Sequence, residues 1–162
     1  MSAVCAGGPD IQRECRHHVQ QNGVLADGRV YVSKSGRLPC QKVIHAVGPI
    51  WKGGNSSEEN SLYEAIFESM LAAEQAQMSS IAIPALSSGI FRFPIDKCTL
   101  TIISAVKDFL EANPDSSVKK VSLVDPQDDV LRVFHKNLRV VFGSEVVTTS
   151  GNRQARSKAE GK

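Results

Sequence analysis

A chain of 162 residues, 41% of them hydrophobic, is long enough to bury one sizeable core and short for two. Its 19 Lys and Arg against 17 Asp and Glu leave a net charge of +2, too small and too spread out to mark a nucleic-acid surface. No run of about 18 apolar residues is present to span a membrane, and MSAVCAGGPD has neither the basic nor the long apolar part of a signal peptide.

The four cysteines, Cys5, Cys15, Cys40 and Cys98, include no CxxC pair. That argues against a zinc knuckle and for a reduced, intracellular protein. No internal repeat is visible.

The elements alternate along the chain. Ile11, Cys15 and Val19 fall four apart behind Pro9, which predicts a helix over 9–21 that ends at Asn22-Gly23. GRVYVS (28–33) alternates and is rich in β-branched residues, so it reads as a strand. SGRLP is a turn, and KVIHAV (42–47) is a second, mostly apolar strand. Gly48-Pro49 ends it, and WKGGNSSEEN reads as a flexible loop. Leu62, Ile66, Met70 and Ala73 mark one face of a helix over 58–77. SSIAIPAL (79–86) is a third strand. Ile95, Cys98, Ile102, Val106 and Phe109 mark a helix over 94–112, stopped at Asn113-Pro114. VKKVSLVD (118–125) is a fourth strand, and Val130, Phe134, Leu138 and Val141 mark a last helix over 128–141. After residue 143 the pattern fades into a basic, polar end, GNRQARSKAEGK, which reads as a tail or linker.

Strands alternating with helices indicate an α/β fold, in which ligands gather at the carboxyl ends of strands. Three such ends stand out: Val47-Gly48-Pro49, Leu86-Ser87-Ser88-Gly89 and Val124-Asp125-Pro126. At the second, unpaired backbone N–H groups and a following helix dipole favour a phosphate without any lysine. Gly89 allows close approach and unusual dihedrals, two serine hydroxyls add donors, and Phe91 and Phe93 can wall a pocket. The plain alternative is a turn with two core phenylalanines. There is no GxxxxGK[ST] and no GxGxxG, and SSG is not the GxSxG of a nucleophile elbow.

GRLPCQKVIHAVGPIW (36–51), SIAIPALSSGIFRFP (80–94) and VSLVD (121–125), in this order and spacing, closely resemble a macrodomain, the ADP-ribose-binding module. The likeness is tightest to the tandem macrodomains of vertebrate poly(ADP-ribose) polymerase family members, and it covers roughly residues 3–142. It implies a mixed sheet with helices on both faces over residues 1–143, with 144–162 as the tail. It also implies site roles. Ser87, Ser88, Gly89, Ile90 and Phe91 would wrap the diphosphate and distal ribose, with Phe91 against that ribose. Val124 and Asp125, with Pro126 behind them, would border the adenine and its ribose. Gly48 and Pro49 would lie near the floor or rim. The implied partners are ADP-ribose or ADP-ribosylated proteins, in the nucleus or cytoplasm. No cofactor besides that ligand, no metal, no membrane and no catalytic residue is expected, and nucleic acid is not the favoured partner.

One part of the family pattern has no counterpart. A macrodomain begins with two further strands, the second ending in an Asn-Ala-Ala-Asn-like run followed by a glycine-rich loop. Gly7-Gly8 precedes the Pro9 helix and is not that loop. About 35–45 residues of a normal domain are therefore expected to be missing. In the family's strand order 1-6-5-2-4-3 their loss leaves two two-stranded pieces with a gap. The third strand here would then have an unpaired apolar edge. Three consequences are expected as alternatives: an isolated chain of poor stability, a repaired sheet with the third strand against the second, or a fragment that needs strands from a longer parent chain. Function follows in kind. Binding of ADP-ribose leads; a non-binding fragment and an ADP-ribosyl hydrolase are the alternatives, the last lacking the first-loop groups on which hydrolysis depends. An ADP-ribosyltransferase parent is compatible, but no transferase domain is visible.

Remaining residues read plainly. His17-His18 belongs to a solvated helix face, His45 to a satisfied buried site, Trp51 and Cys98 to the core, and Arg92 to solvent before phosphate.

Overall fold

The structure, a computed structural model, describes residues 7–143; Cys5 and the expected tail at 144–162 lie outside the described residues. Helix α1 runs Pro9–Asn22 with Pro9 at its first turn, and Gly23, at φ 82°, closes it by donating its N–H to Val19 O at 2.9 Å. Strands β1 (Val30–Lys34) and β2 (Lys42–Ala46) form an antiparallel hairpin in the register Val30↔Ala46 to Lys34↔Lys42. Two further bonds, Gly28 N to Val47 O at 2.8 Å and Val47 N to Arg29 O at 3.0 Å, prolong the ladder. Helix α2 spans Glu58–Gln75, β3 Ser80–Pro84, α3 Ile95–Ala112, β4 Lys120–Val124 and α4 Asp128–Phe142. Strands β3 and β4 pair in parallel from Ser80↔Lys120 to Pro84↔Val124.

The hairpin has a helix on each face. Towards α1, His45 meets Cys15 and Tyr31 meets Glu14; towards α2, Ile44 joins the core. That core is built from Leu62, Ile66 and Met70 of α2, Ile102, Val106 and Phe109 of α3, and Val130 and Phe134 of α4, with Ile83 of β3. Each helix contributes residues three or four apart, the spacing that places an apolar stripe on one side. Asn137, itself buried, ties α4 to α3 by donating to Asp96 O at 3.1 Å and Thr99 Oγ1 at 2.9 Å.

All eight expected elements form, with no end shifted by more than two residues. Strand β3 stops at Pro84 because Leu86 N turns back to Pro84 O at 2.8 Å, an i to i+2 closure that takes the chain out of the ladder. The described residues make two two-stranded sheets, β1-β2 and β3-β4. The repaired sheet weighed from the sequence does not form: no Cα of β2 lies within 8 Å of a Cα of β3. Both strands rest on α2, which holds them apart, so closing the ladder would mean lifting one of them off its apolar contacts.

Candidate functional site

Three strand ends come together at one end of the molecule. The parallel register sets Pro84 and Val124 level with each other. The end of β2 reaches the same place through Gly48: a Cβ there would stand 2.2 Å from Ser87 Oγ and 2.9 Å from Leu86 Cγ, so only glycine fits. Pro49 beside it is fully buried, and Trp51 N donates to Phe91 O at 2.9 Å. Gly48, Pro49 and the loop after β3 are thus one assembly.

The loop itself is closed at its neck by Phe93 N donating to Ser87 O at 3.0 Å, and tightened by Arg92 N to Gly89 O at 2.9 Å. Ser88 Oγ turns inward to Ala85 O at 2.7 Å. Ser87 and Arg92 adopt φ of 70° and 55°, a conformation that costs a non-glycine residue about 1–2 kcal/mol. The unusual dihedrals expected at Gly89 therefore sit at its flanks. What glycine provides is room: a Cβ at Gly89 would meet nothing within 4 Å.

Among the described residues, nothing accepts a hydrogen bond from the amides of Gly89, Ile90 and Phe91. Ile90 is 96% exposed and Phe91 is 38% exposed. Ser87 Oγ is buried and has no hydrogen-bond partner among the described residues, which a buried hydroxyl rarely tolerates. Consecutive free donors at a strand-to-helix junction, four residues before α3, suit an anion.

Phe93 does not wall this site. It is buried to 1% and packs its ring 4.7 Å from Trp51, so of the aromatic pair only Phe91 reaches the surface. Arg92 is exposed, and Lys97 lies over the Trp51 ring, with Nζ 5.4 Å from its centre. Beneath the loop, Cys98 Sγ donates to Leu86 O at 3.1 Å. Burial, aided by the charge of Asp125, pushes the Cys98 thiol up to about 12, so it is a packed donor and no nucleophile. Asp125 uses one carboxylate oxygen to accept Gln127 N at 2.9 Å, capping the turn at Pro126. Val124 next to it is 42% exposed.

The segment read as a flexible loop is pinned. Glu58, 3% exposed at the start of α2, accepts Lys52 N at 2.9 Å and Gly54 N at 3.1 Å on Oε1, and Ser56 N at 2.6 Å on Oε2. Burial raises its pKa, but these bonds and its own amide outweigh burial and bring the carboxyl down to about 2. The only sequence signal was a glutamate directly behind Ser56-Ser57 at a helix start. His45 is the satisfied histidine expected: Ser33 Oγ lies 2.8 Å and Cys15 Sγ 3.5 Å from Nε2, and burial, partly offset by Glu14, lowers its pKa. His17 is exposed as expected, whereas His18 stacks on Tyr31 with ring centres 3.9 Å apart. A shallow groove of about 250 Å³ between α2 and α3, lined by Glu59, Tyr63 and Thr101, lies away from the loop.

The Macro domain family model matches residues 4–102. The human protein mono-ADP-ribosyltransferase PARP14 is 37% identical over 90% of this chain, and macro domain-containing protein TTE0995 of Caldanaerobacter subterraneus is 37% identical over 81% of it. The chain spans 73% of TTE0995 but only 8% of PARP14, and 23% of an uncharacterised Thermotoga maritima relative. Among solved structures, a variant of the Oceanobacillus iheyensis macrodomain with ADPR superimposes with a TM-score of 0.80 at 23% identity, covering 88% of this chain and 76% of that one. At that identity the likeness speaks for the fold. By family model and by relatives, this chain belongs to the macro domain family.

Proposed function

We propose that this chain binds ADP-ribose, free or attached to a protein, with the diphosphate seated on the loop of residues 87–91. The observation that carries this reading is the run of exposed amides at Gly89, Ile90 and Phe91 with no acceptor among the described residues. Their N–H groups take the diphosphate oxygens, and the open space at Gly89 lets the ligand approach the backbone. Phe91 lies against the distal ribose, Val124 and Asp125 border the adenine side, and Gly48 with Pro49 supports the loop from below. Ser88 shapes the loop and leaves the contacts to its neighbours, because its hydroxyl and its amide both donate to Ala85 O.

Binding is favoured over hydrolysis because Cys98, beneath the loop, is buried and protonated, and Asp125 has one carboxylate oxygen engaged by the Gln127 amide. The wider setting belongs to the same reading: a recognition module, intracellular, within a larger protein that handles ADP-ribosylation. Its support is the 8% of PARP14 that this chain spans.

The test is an amide NMR titration of the full chain with ADP-ribose. Shifts at Gly89, Ile90 and Phe91, with smaller ones at Val124 and Asp125, are expected. A dispersed spectrum that does not move at millimolar ADP-ribose would remove the reading.

A further inference from the structure

We infer that the groove between α2 and α3 is a docking surface for a basic segment of a partner protein, gripped through one arginine side chain. The groove has a volume of about 250 Å³ and is lined by Glu59, Asn60 and Tyr63 of α2 and by Leu100, Thr101 and Ser104 of α3. Along α3 these residues lie between two polar bridges to α2. Lys97 Nζ pairs with Glu59 Oε1, and Tyr63 OH donates to Asp108 Oδ2 at 2.8 Å. Pockets for small molecules are enclosed and run to about 300–1,000 Å³, so an open groove of this size suits a side chain presented by another protein.

Charge selects that side chain. Helix α2 carries Glu58, Glu59, Glu64, Glu68 and Glu74 and no lysine, arginine or histidine. On α3, Lys97 is engaged by Glu59, and Lys107 by Glu111 at 3.7 Å, so neither neutralises Asp108. Asp108 is exposed, and the bond from Tyr63 falls on Oδ2, which leaves Oδ1 for an incoming donor. A cationic segment is drawn to such a face, and a phosphate chain is repelled from it.

Shape then favours arginine over lysine. Tyr63 brings an aromatic ring to the groove, backed by Phe67 with ring centres 6.0 Å apart, and a guanidinium stacks on a ring as an ammonium does not. Its fork of N–H groups can engage Asp108 together with the hydroxyl oxygens of Thr101 and Ser104, where an ammonium is a point charge. Leu100, 39% exposed, stands outside the buried stripe of α3 and offers apolar surface to the arginine methylenes. None of the loop residues 87–91 lines the groove, so this surface does not rest on the ADP-ribose reading.

The test is fluorescence anisotropy of the full chain with a labelled decapeptide of alternating arginine and glycine, beside the same peptide with lysine in place of arginine. The arginine peptide should bind at least about threefold more tightly than the lysine peptide. Asp108→Asn and Tyr63→Leu should each weaken its binding by about threefold or more. Glu64→Gln removes the same charge from an exposed place on α2 outside the groove, and should leave binding nearly unchanged. Asp108→Asn keeps the size of an exposed side chain, so it remains readable even if Tyr63→Leu unfolds. Equal affinity for the two peptides overturns the inference, as do equal losses in Asp108→Asn and Glu64→Gln, which mean diffuse attraction to an acidic helix. A concentration-dependent dimer in sedimentation that Asp108→Asn abolishes also overturns it, by giving the groove to a second copy.

Discussion

A methyl group added at position 48 would collide with the hydroxyl of Ser87. Replacing Gly48 by alanine should therefore push the loop off its support and cost about 1–3 kcal/mol. Because the nearest atom is Ser87 Oγ, the double variant Gly48→Ala with Ser87→Gly should be less damaged than the two single effects summed. A coupling of about 0.5–3 kcal/mol is expected from urea unfolding of the four proteins. Strict additivity would mean that Leu86 Cγ, at 2.9 Å, is the real obstacle. The loop itself was legible in the sequence as an apolar run that stops at Ser-Ser-Gly, a pattern that a plain turn shares. Gly48 was legible only as a strand end. Its contact with Ser87 depends on how β2 and β3 are set on α2, which no local pattern encodes. The strained dihedral was misplaced for a similar reason: glycine is the residue on which one expects positive φ, but the neck bond from Phe93 N imposes it on Ser87.

Elements followed periodicity closely because each helix here has an apolar stripe three and four apart and each strand is bounded by a turn. Their junctions did not. The segment after Trp51, rich in Gly, Asn and Ser, looks unanchored until Glu58 is seen to gather three of its amides. That carboxylate has a pKa of about 2 in the folded chain against an ordinary 4.5. A lowered value means that its contribution to stability is complete above 4.5 and is lost as pH falls from there through 2. Glu58→Gln, which keeps the size but loses the charge, should destabilise the protein at neutral pH. The gap between variant and parent in urea midpoint should then shrink at about pH 3 and below. A gap independent of pH would mean that the loop is held by shape and not by the charge of Glu58.

The molecule as a whole is unevenly anchored. The large buried side chains belong mostly to α2, α3 and α4, with Ile83 of β3; Val121 and Leu123 of β4 pack against them half-buried, whereas of the hairpin strands only Ile44 does so. The hairpin joins the core through Ile44 and through Trp51 beyond its end, and its other face is covered by α1, where the fully buried apolar residue is Ile11. Two separate sheets also mean that no ladder carries cooperativity from one half to the other. Local opening free energy tracks buried apolar contact, so the hairpin with α1 should open as a unit before the rest. In native-state hydrogen exchange of the chain alone, amides of β1 and β2 should exchange at least about tenfold faster than those of α3 and β4, and should respond to less urea. The sequence could suggest two strand pairs, but not which would be the weaker. That depends on which pair shares the three-helix core. If the hairpin and α3 exchange together through one global opening, then the contacts of α2 with both sheets couple them fully, and the hairpin is no separate unit.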